Sequence, residues 1–205
     1  MAKKKESSFV NMVLTLFLVT GLASFTLATV YNLTAEPIAQ AREAKKQQAI
    51  SQVVPEFDRL ETKMFAPVDG GDSLEFNFAF KNDQLVGVAV NTWTNRGYSG
   101  KITAMAGFDT DGKIIDVVHL SHAETPGLGD KIDKTKSDWS NQFQGFDPAV
   151  SELKVTKDNG DIDAITAATI TSRAYCDALE RAYQTFMANV QQEDTETLEE
   201  GGNEL

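Results

Sequence analysis

The sequence predicts an α+β fold, in which an antiparallel sheet is packed by helices, behind a single N-terminal membrane span. Three observations support this class. An uncharged apolar run covers residues 9–31. Alternating apolar residues between positions 74 and 120 indicate a series of short β-strands. Apolar residues recur every three or four positions after Ser172, which is typical of an amphipathic helix packed on such a sheet.

Composition narrows the class of protein. A chain of 205 residues, of which 41% are hydrophobic, can build one ordinary domain and an anchor. The net charge of −11 argues against nucleic acid as a partner, because such binding needs a basic surface. Cys176 is the single cysteine, so no internal disulfide and no cysteine cluster for zinc or iron–sulfur can form. A redox role would therefore require an organic cofactor or a partner's metal.

The apolar run is long enough to cross the hydrocarbon core of a membrane as a helix. A cleavable signal peptide has a shorter apolar region that ends in a small-residue cleavage site, and no such site closes this one. We therefore expect a retained transmembrane helix at 9–31, behind a cytoplasmic segment at 1–8. Lys3, Lys4 and Lys5 favour a cytoplasmic N-terminus, which places the main domain outside the cytoplasm.

One face of the expected span carries small and hydroxyl-bearing residues. Thr20, Ser24 and Ala28 recur every four residues and so lie on one side of a helix. In a membrane such a face suits close contact with a partner helix. The same hydroxyls can also bond back to their own helix, and the sequence leaves both interpretations open.

The segment after the span is predicted to be a stalk, and the domain follows it. Residues 32–65 contain a charged helical stretch that Pro55 closes. The domain is expected at 66–190 and an acidic, disordered tail at 191–205. Four strands are predicted within the domain, at 74–80, 85–93, 102–108 and 114–120.

Three further elements are predicted to complete the domain. A helix is expected from about Asp133, ending near Phe143, and a short strand over Leu153–Thr156. The turn Asp158–Gly160 then leads to the final amphipathic helix after Ser172.

The segment just before the final helix has the composition of an anion site. Its hydroxyl groups belong to Thr166, Thr169, Thr171 and Ser172, and Ala167 and Ala168 leave room for a bulky ligand. Backbone N–H groups at a helix start lack partners within the helix and lie at the positive end of its dipole, so a phosphate there is stabilised. Ser and Thr are also common helix caps, so these residues by themselves favour plain capping over an anion site.

Two motifs resemble a known family. The first is similar to the flavinylation motif Asp-x-x-(Ser/Thr)-Gly-Ala-Thr of membrane-bound FMN proteins. The matching residues are Asp163, Thr166, Ala168 and Thr169, with Ala167 where that family usually has Gly. The second, His122–Gly129, resembles the Glu-Thr-Pro-Gly-Leu-Gly loop of the same family. Their order behind one apolar segment resembles the G subunit of the Rnf electron-transport complex, with the C subunit of the sodium-pumping NADH:quinone reductase as a near relative.

The resemblance implies a covalent cofactor. Thr169 would carry one FMN through a phosphoester bond made by a separate flavin transferase that uses FAD. The remaining phosphate charge would lie near Thr171 and Ser172, and Asp163 would serve transferase recognition or hold the loop. The second wall of the flavin site is expected to contain Glu124, Thr125, Leu128 and Gly129, with Tyr98 either stacked on the ring or exposed in its loop.

Other polar groups are given no central role. His119 and His122 have a spacing that metal ligands can use, but residues three apart at a strand end are expected to point to opposite sides, so no metal site is predicted. Lys131 either favours negative charge on the reduced ring or lies in solvent. Cys176 is assigned no role.

The predicted function is that of an electron carrier within a larger complex. The resemblance implies a component of a bacterial inner-membrane oxidoreductase that couples electron flow between ferredoxin and NAD to Na⁺ or H⁺ transport, with other membrane subunits as partners. The protein is not expected to be catalytic alone. Its span has no ionisable side chain to carry an ion. The alternatives are a component like the C subunit of the sodium pump, a free-standing extracytoplasmic flavin shuttle, and a non-redox membrane anchor or scaffold.

Overall fold

The computed structural model describes residues 8–200, with side chains to Asn189. Contacts divide the chain into two units between Lys45 and Lys46. Helix α1 (Phe9–Val53) makes up the described part of the first unit, and its last residues belong to the second.

The first unit has the features of a membrane span. Within residues 8–200, one helix, α1, is long and apolar enough to cross a membrane. Its large apolar side chains are exposed, as on a surface that faces lipid. The Thr20 hydroxyl donates to the Leu16 carbonyl of its own helix at 2.8 Å. Contact of this face with a partner helix stays a prediction. The lysines at positions 3 to 5 lie outside the described residues, and the orientation of the span stays a prediction.

Within the described part of the second unit, five strands form one antiparallel sheet in the order β1-β2-β3-β4-β5. They are β1 (Arg59–Phe65), β2 (Leu74–Lys81), β3 (Gln84–Gly97), β4 (Gly100–Phe108) and β5 (Ile114–Ser121). Asn82 and Asp83, with φ of 52° and 61°, make the tight turn between β2 and β3. The predicted meander and the α+β class are confirmed.

Helix α2 (Thr169–Glu200) packs on one face of the sheet, as the periodicity predicts. Two buried threonines of β3 fix its position. The Thr92 hydroxyl donates to the Ala178 carbonyl at 2.7 Å, and the Thr94 hydroxyl donates to Asp177 Oδ2 at 2.7 Å. Because a buried hydroxyl without a partner is costly, these bonds set the register of α2 along β3. The start of α2 is thereby held against the sheet.

The end of α1 covers the other face of the sheet. Ala49, Ile50 and Val53 are buried there against Ala79, Ala89 and Met105. A Cβ at Gly107 would lie 1.8 Å from the Val53 carbonyl oxygen, so glycine permits this approach. Residues 46–65, which were predicted to belong to the stalk and which include β1, are therefore part of the second unit. The sequence missed β1 because this edge strand is mostly exposed and charged.

Two predictions between β5 and α2 are wrong. The helix from about Asp133 does not form, and short 3-10 turns at Gly129–Ile132 and Trp139–Phe143 stand in its place. Asp133 Oδ1 accepts the Thr135 N–H at 2.8 Å, a local bond that competes with helix formation. The predicted strand at Leu153–Thr156 is reduced to a single bridge between Val155 and Ile162.

The predicted acidic tail overlaps the end of α2. The helix backbone continues to Glu200, so residues 191–200, expected to be disordered, are helical. Residues 201–205 lie outside the described residues, and for them disorder stays a prediction.

Candidate functional site

The chain reverses just before α2 through a left-handed residue. Ala167 has a φ of 63°. The Ile165 N–H donates to Ser172 Oγ at 2.9 Å, and the Ser172 hydroxyl donates to the Ala168 carbonyl at 3.1 Å. Ser172 is fully buried. Its hydroxyl therefore fastens the preceding loop to the first turn of α2 and is not free to bind a ligand.

The first turn of α2 presents donors without acceptors. The first helical hydrogen bond runs from the Ser172 N–H to the Ala168 carbonyl at 3.0 Å. The N–H groups of Thr169, Ile170 and Thr171 donate to no acceptor among the described residues. They lie at the positive end of the helix dipole, where an anion is stabilised.

Glu124 joins three segments beneath the start of α2. The side chain is buried, and its Oε1 accepts the Ser99 N–H at 3.0 Å. Its Oε2 accepts the hydroxyl proton of Thr171 at 2.5 Å. A Cβ at Gly129 would lie 2.7 Å from Glu124 Oε2, so this packing requires glycine. The loop after β5 and the β3–β4 turn are thus tied to α2.

Thr169, the first residue of α2, is half-buried. Lys157 Nζ donates to Thr169 Oγ1 at 3.1 Å. The next residue, Asp158, accepts two hydrogen bonds from Arg173, at 2.6 and 2.7 Å. The Arg173 guanidinium lowers the pKa of the Asp158 carboxyl below its usual value. Sequence reasoning located the turn at Asp158 but missed Lys157, because no periodicity or motif relates it to Thr169.

A cavity of about 490 Å³ opens beside Thr169. That volume is typical of sites for small molecules and cofactors. Tyr98, Leu128 and Ile170 are exposed apolar residues among its lining. The full lining is Tyr98, Glu124, Thr125, Leu128, Gly129, Ala167, Ala168, Thr169, Ile170 and Thr171. The structure thus brings the two sequence motifs together, with polar groups at the α2 end and apolar side chains beside them.

Three predicted site residues do not line the cavity. Thr166 and Asp163 are exposed, and Ser172 is buried beneath the loop. The Asp163 backbone carbonyl accepts the Trp139 Nε1–H at 2.5 Å, so the loop is anchored through its main chain. Lys131 is also outside the lining.

The two histidines lie closer together than expected. Their rings are 5.2 Å apart, because His122 follows the end of β5 and escapes the strand alternation. His122 Nδ1 accepts the Glu124 N–H at 3.2 Å. No cluster of three or more candidate metal ligands occurs in the part of the chain that the structure describes. Burial raises the pKa of the Cys176 thiol to about 12, so this cysteine is unreactive.

The sequence of the domain matches a known family. Residues 97–184 match the FMN-binding domain family, and this range contains both motifs and the whole cavity lining. Comparison of most of the chain with individual proteins gives a more specific match. The chain is 36% identical to the G subunit of the ion-translocating oxidoreductase complex of Shewanella piezotolerans, over 82% of this chain and 83% of that protein.

Other relatives agree. The protein of the same name from Aliivibrio fischeri is 36% identical over 92% of this chain and 93% of its own length. The chain belongs to this family, the G subunits of ion-translocating oxidoreductase complexes. Among solved structures, Shewanella oneidensis NqrC has 22% identity and a TM-score of 0.48, over 69% of this chain and 70% of that one.

Proposed function

We propose that this protein is an electron-carrier subunit that holds one FMN through a phosphoester bond to Thr169. The observation that carries the proposal is the position of the Thr169 hydroxyl. It stands at a cofactor-sized cavity, within a domain of the FMN-binding family, beside three N–H groups that find no acceptor in the part of the chain that the structure describes. A phosphate needs the polar end of this arrangement, and a planar ring needs its apolar side. The residues present therefore fit FMN.

The attachment step needs a separate flavin transferase and FAD. Thr169 Oγ1 forms a bond to the phosphorus of the FMN half of FAD, and the bond from that phosphorus to the bridging pyrophosphate oxygen breaks. AMP leaves with the bonding electron pair, and the hydroxyl proton passes to a base of the transferase. Asp163 is exposed in the preceding loop and is available to the transferase for recognition.

The chain's own residues position and shield the cofactor. Bound FMN supplies chemistry in which electrons are exchanged singly or in pairs. The N–H groups of Ile170 and Thr171 would stabilise the phosphate, and Tyr98 and Leu128, which line the cavity, would contact the ring. Glu124 and Ser172 hold the walls in place through their own hydrogen bonds.

The setting of this site is a membrane complex. We place residues 9–31 across the bacterial inner membrane, with the N-terminus in the cytoplasm and the flavin domain outside. Electrons would pass between this domain and other membrane subunits of the oxidoreductase, in electron transfer between ferredoxin and NAD coupled to Na⁺ or H⁺ transport. Those subunits must supply the ion path, because the span contains no Asp, Glu, Lys, Arg or His.

A comparison of threonine variants tests the attachment. The full chain is co-expressed with a flavin transferase, and flavin fluorescence is measured at its band on a denaturing gel. We expect Thr169→Val to abolish the fluorescence and Thr166→Val, the matched control in the same motif, to retain it. The mass of the peptide that contains position 169 should be higher by one esterified FMN. A covalently fluorescent Thr169→Val protein would contradict the proposal.

A further inference from the structure

Lys157 contacts the atom to which the cofactor would be attached. Its ammonium group lies 3.1 Å from Thr169 Oγ1. An ammonium group has donors and no acceptor, so the threonine oxygen must be the acceptor of this bond. The hydroxyl proton of Thr169 therefore points away from Lys157.

The segment that carries Lys157 is built onto the start of α2. It is a 3-10 turn, Thr156–Asp158, that ends at Asn159 with φ of 60°. The Thr156 N–H donates to the Ile162 carbonyl at 2.8 Å, which fixes one side of the turn. The two bonds from Arg173 to Asp158 fix the other side to α2 itself. Lys157 is thus positioned by its neighbours, although its own side chain is long.

The charges around Thr169 leave Lys157 suited to an anion. Arg173 lies one turn further along α2, but Asp158 pairs with its guanidinium and offsets its charge. Lys157 contacts a neutral hydroxyl, so its charge is not neutralised by that partner. Esterification would replace the hydroxyl proton with a phosphodiester, which carries one negative charge. An ammonium group in contact with the ester oxygen lies close to the non-bridging oxygens, and such charge-assisted bonds are strong.

We propose that Lys157 is the residue that recognises the phosphate carried by Thr169, and that Asp158 and Arg173 position it. This inference rests on the proposed function, since it requires a phosphoester at that threonine. It assigns the phosphate a side-chain cation in addition to the helix N–H groups. In the protein without flavin, Lys157 contributes little to stability, because its bond to Thr169 is exposed to solvent.

The test compares thermal unfolding of the full chain in detergent with and without flavin. Three variants are prepared with and without the transferase: Lys157→Met, which removes the charge; Lys157→Arg, which keeps it; and Lys154→Met. Lys154 is a matched control because it is an exposed lysine of the same segment that pairs with Glu152 at 2.7 Å. Intact mass gives the fraction of each protein that carries flavin, and only the loaded fraction is compared.

We expect flavin attachment to raise the unfolding midpoint of the wild type, and Lys157→Met to reduce this increment by about 3 °C. Lys157→Arg and Lys154→Met should retain the wild-type increment, and the flavin-free proteins should unfold at similar temperatures. A full increment in Lys157→Met would overturn the assignment of Lys157 while leaving the flavin link intact. A wild type that carries no flavin at Thr169 would overturn the proposed function, and this inference with it.

Discussion

The first turn of α2 carries inner hydroxyl groups, which are buried, and an outer one, which is half-buried, and the two kinds differ in their hydrogen-bond partners. On the inner side, Thr171 and Ser172 are buried and donate to Glu124 and to the Ala168 carbonyl. On the outer side, Thr169 is half-buried, lines the cavity and accepts a hydrogen bond from Lys157. All three residues carry a hydroxyl group, so residue type alone does not distinguish them. Burial and a fixed acceptor make the inner hydroxyls structural, whereas the outer one is left available for chemistry.

The largest effect should come from the inner side. Glu124→Ala leaves the Ser99 N–H and the buried Thr171 hydroxyl without their acceptor, and we expect a loss of about 3 kcal/mol in the free energy of unfolding. Denaturant unfolding of the flavin-free protein measures this. Glu152→Ala is the control, because that carboxylate is exposed. If both variants lose equally little, the inner side is not the structural one.

A smaller effect of opposite sign is expected at the reversal before α2. Ala167 adopts a left-handed φ of 63°, which glycine adopts without the steric cost of a Cβ. Ala167→Gly should therefore raise the free energy of unfolding by about 1 kcal/mol. Ala168→Gly is the matched control, since Ala168 does not have a positive φ, and it should show no gain. A loss at both positions would contradict the left-handed backbone.

The smallest effect concerns pH on the outer side. Because Arg173 depresses the folded-state pKa of Asp158, ionised Asp158 stabilises the fold above the usual aspartate pKa of 3.8. This contribution is lost as the pH falls through the depressed pKa. The difference in stability between wild type and Asp158→Asn should therefore be constant near neutral pH and vanish in acid. Unfolding series from pH 7 to pH 2 measure it, and a difference that grows in acid would contradict the pairing.

Much of the fold could be predicted because its strands obey a simple alternation. In β2, β3 and β4 every second residue faces α2, and most of these residues are apolar, so the sequence shows the alternation. The edge strand β1 is mostly exposed, and its charged residues Arg59 and Lys63 hide it. The helix expected from Asp133 failed for another reason, since local side-chain bonds such as that of Asp133 outcompete helix formation.

The site could be predicted as far as its motifs reach. The loop at His122–Gly129 and the loop before α2 were identified by their resemblance to two family motifs. The structure places Glu124 and Thr169, one from each motif, at one cavity. The pattern could not separate inner from outer hydroxyls, because that depends on which side of α2 faces the sheet. Nor could it find Lys157, whose contact with Thr169 depends on the path of an irregular segment. The burial of each hydroxyl and the Lys157–Thr169 contact both depend on long-range geometry, which residue type does not reveal.

The close contact between Gly107 and the Val53 carbonyl has a practical consequence for work without detergent. A water-soluble fragment that starts at Lys46 would keep the helical residues that seal the rear of the sheet, and with them the ion pair between Lys46 and Glu75. A fragment that starts at position 66 would lack the edge strand β1 and would expose apolar residues of the sheet, which favours aggregation. A soluble fragment should therefore begin within α1, at Lys46, so that it retains the last two turns of that helix.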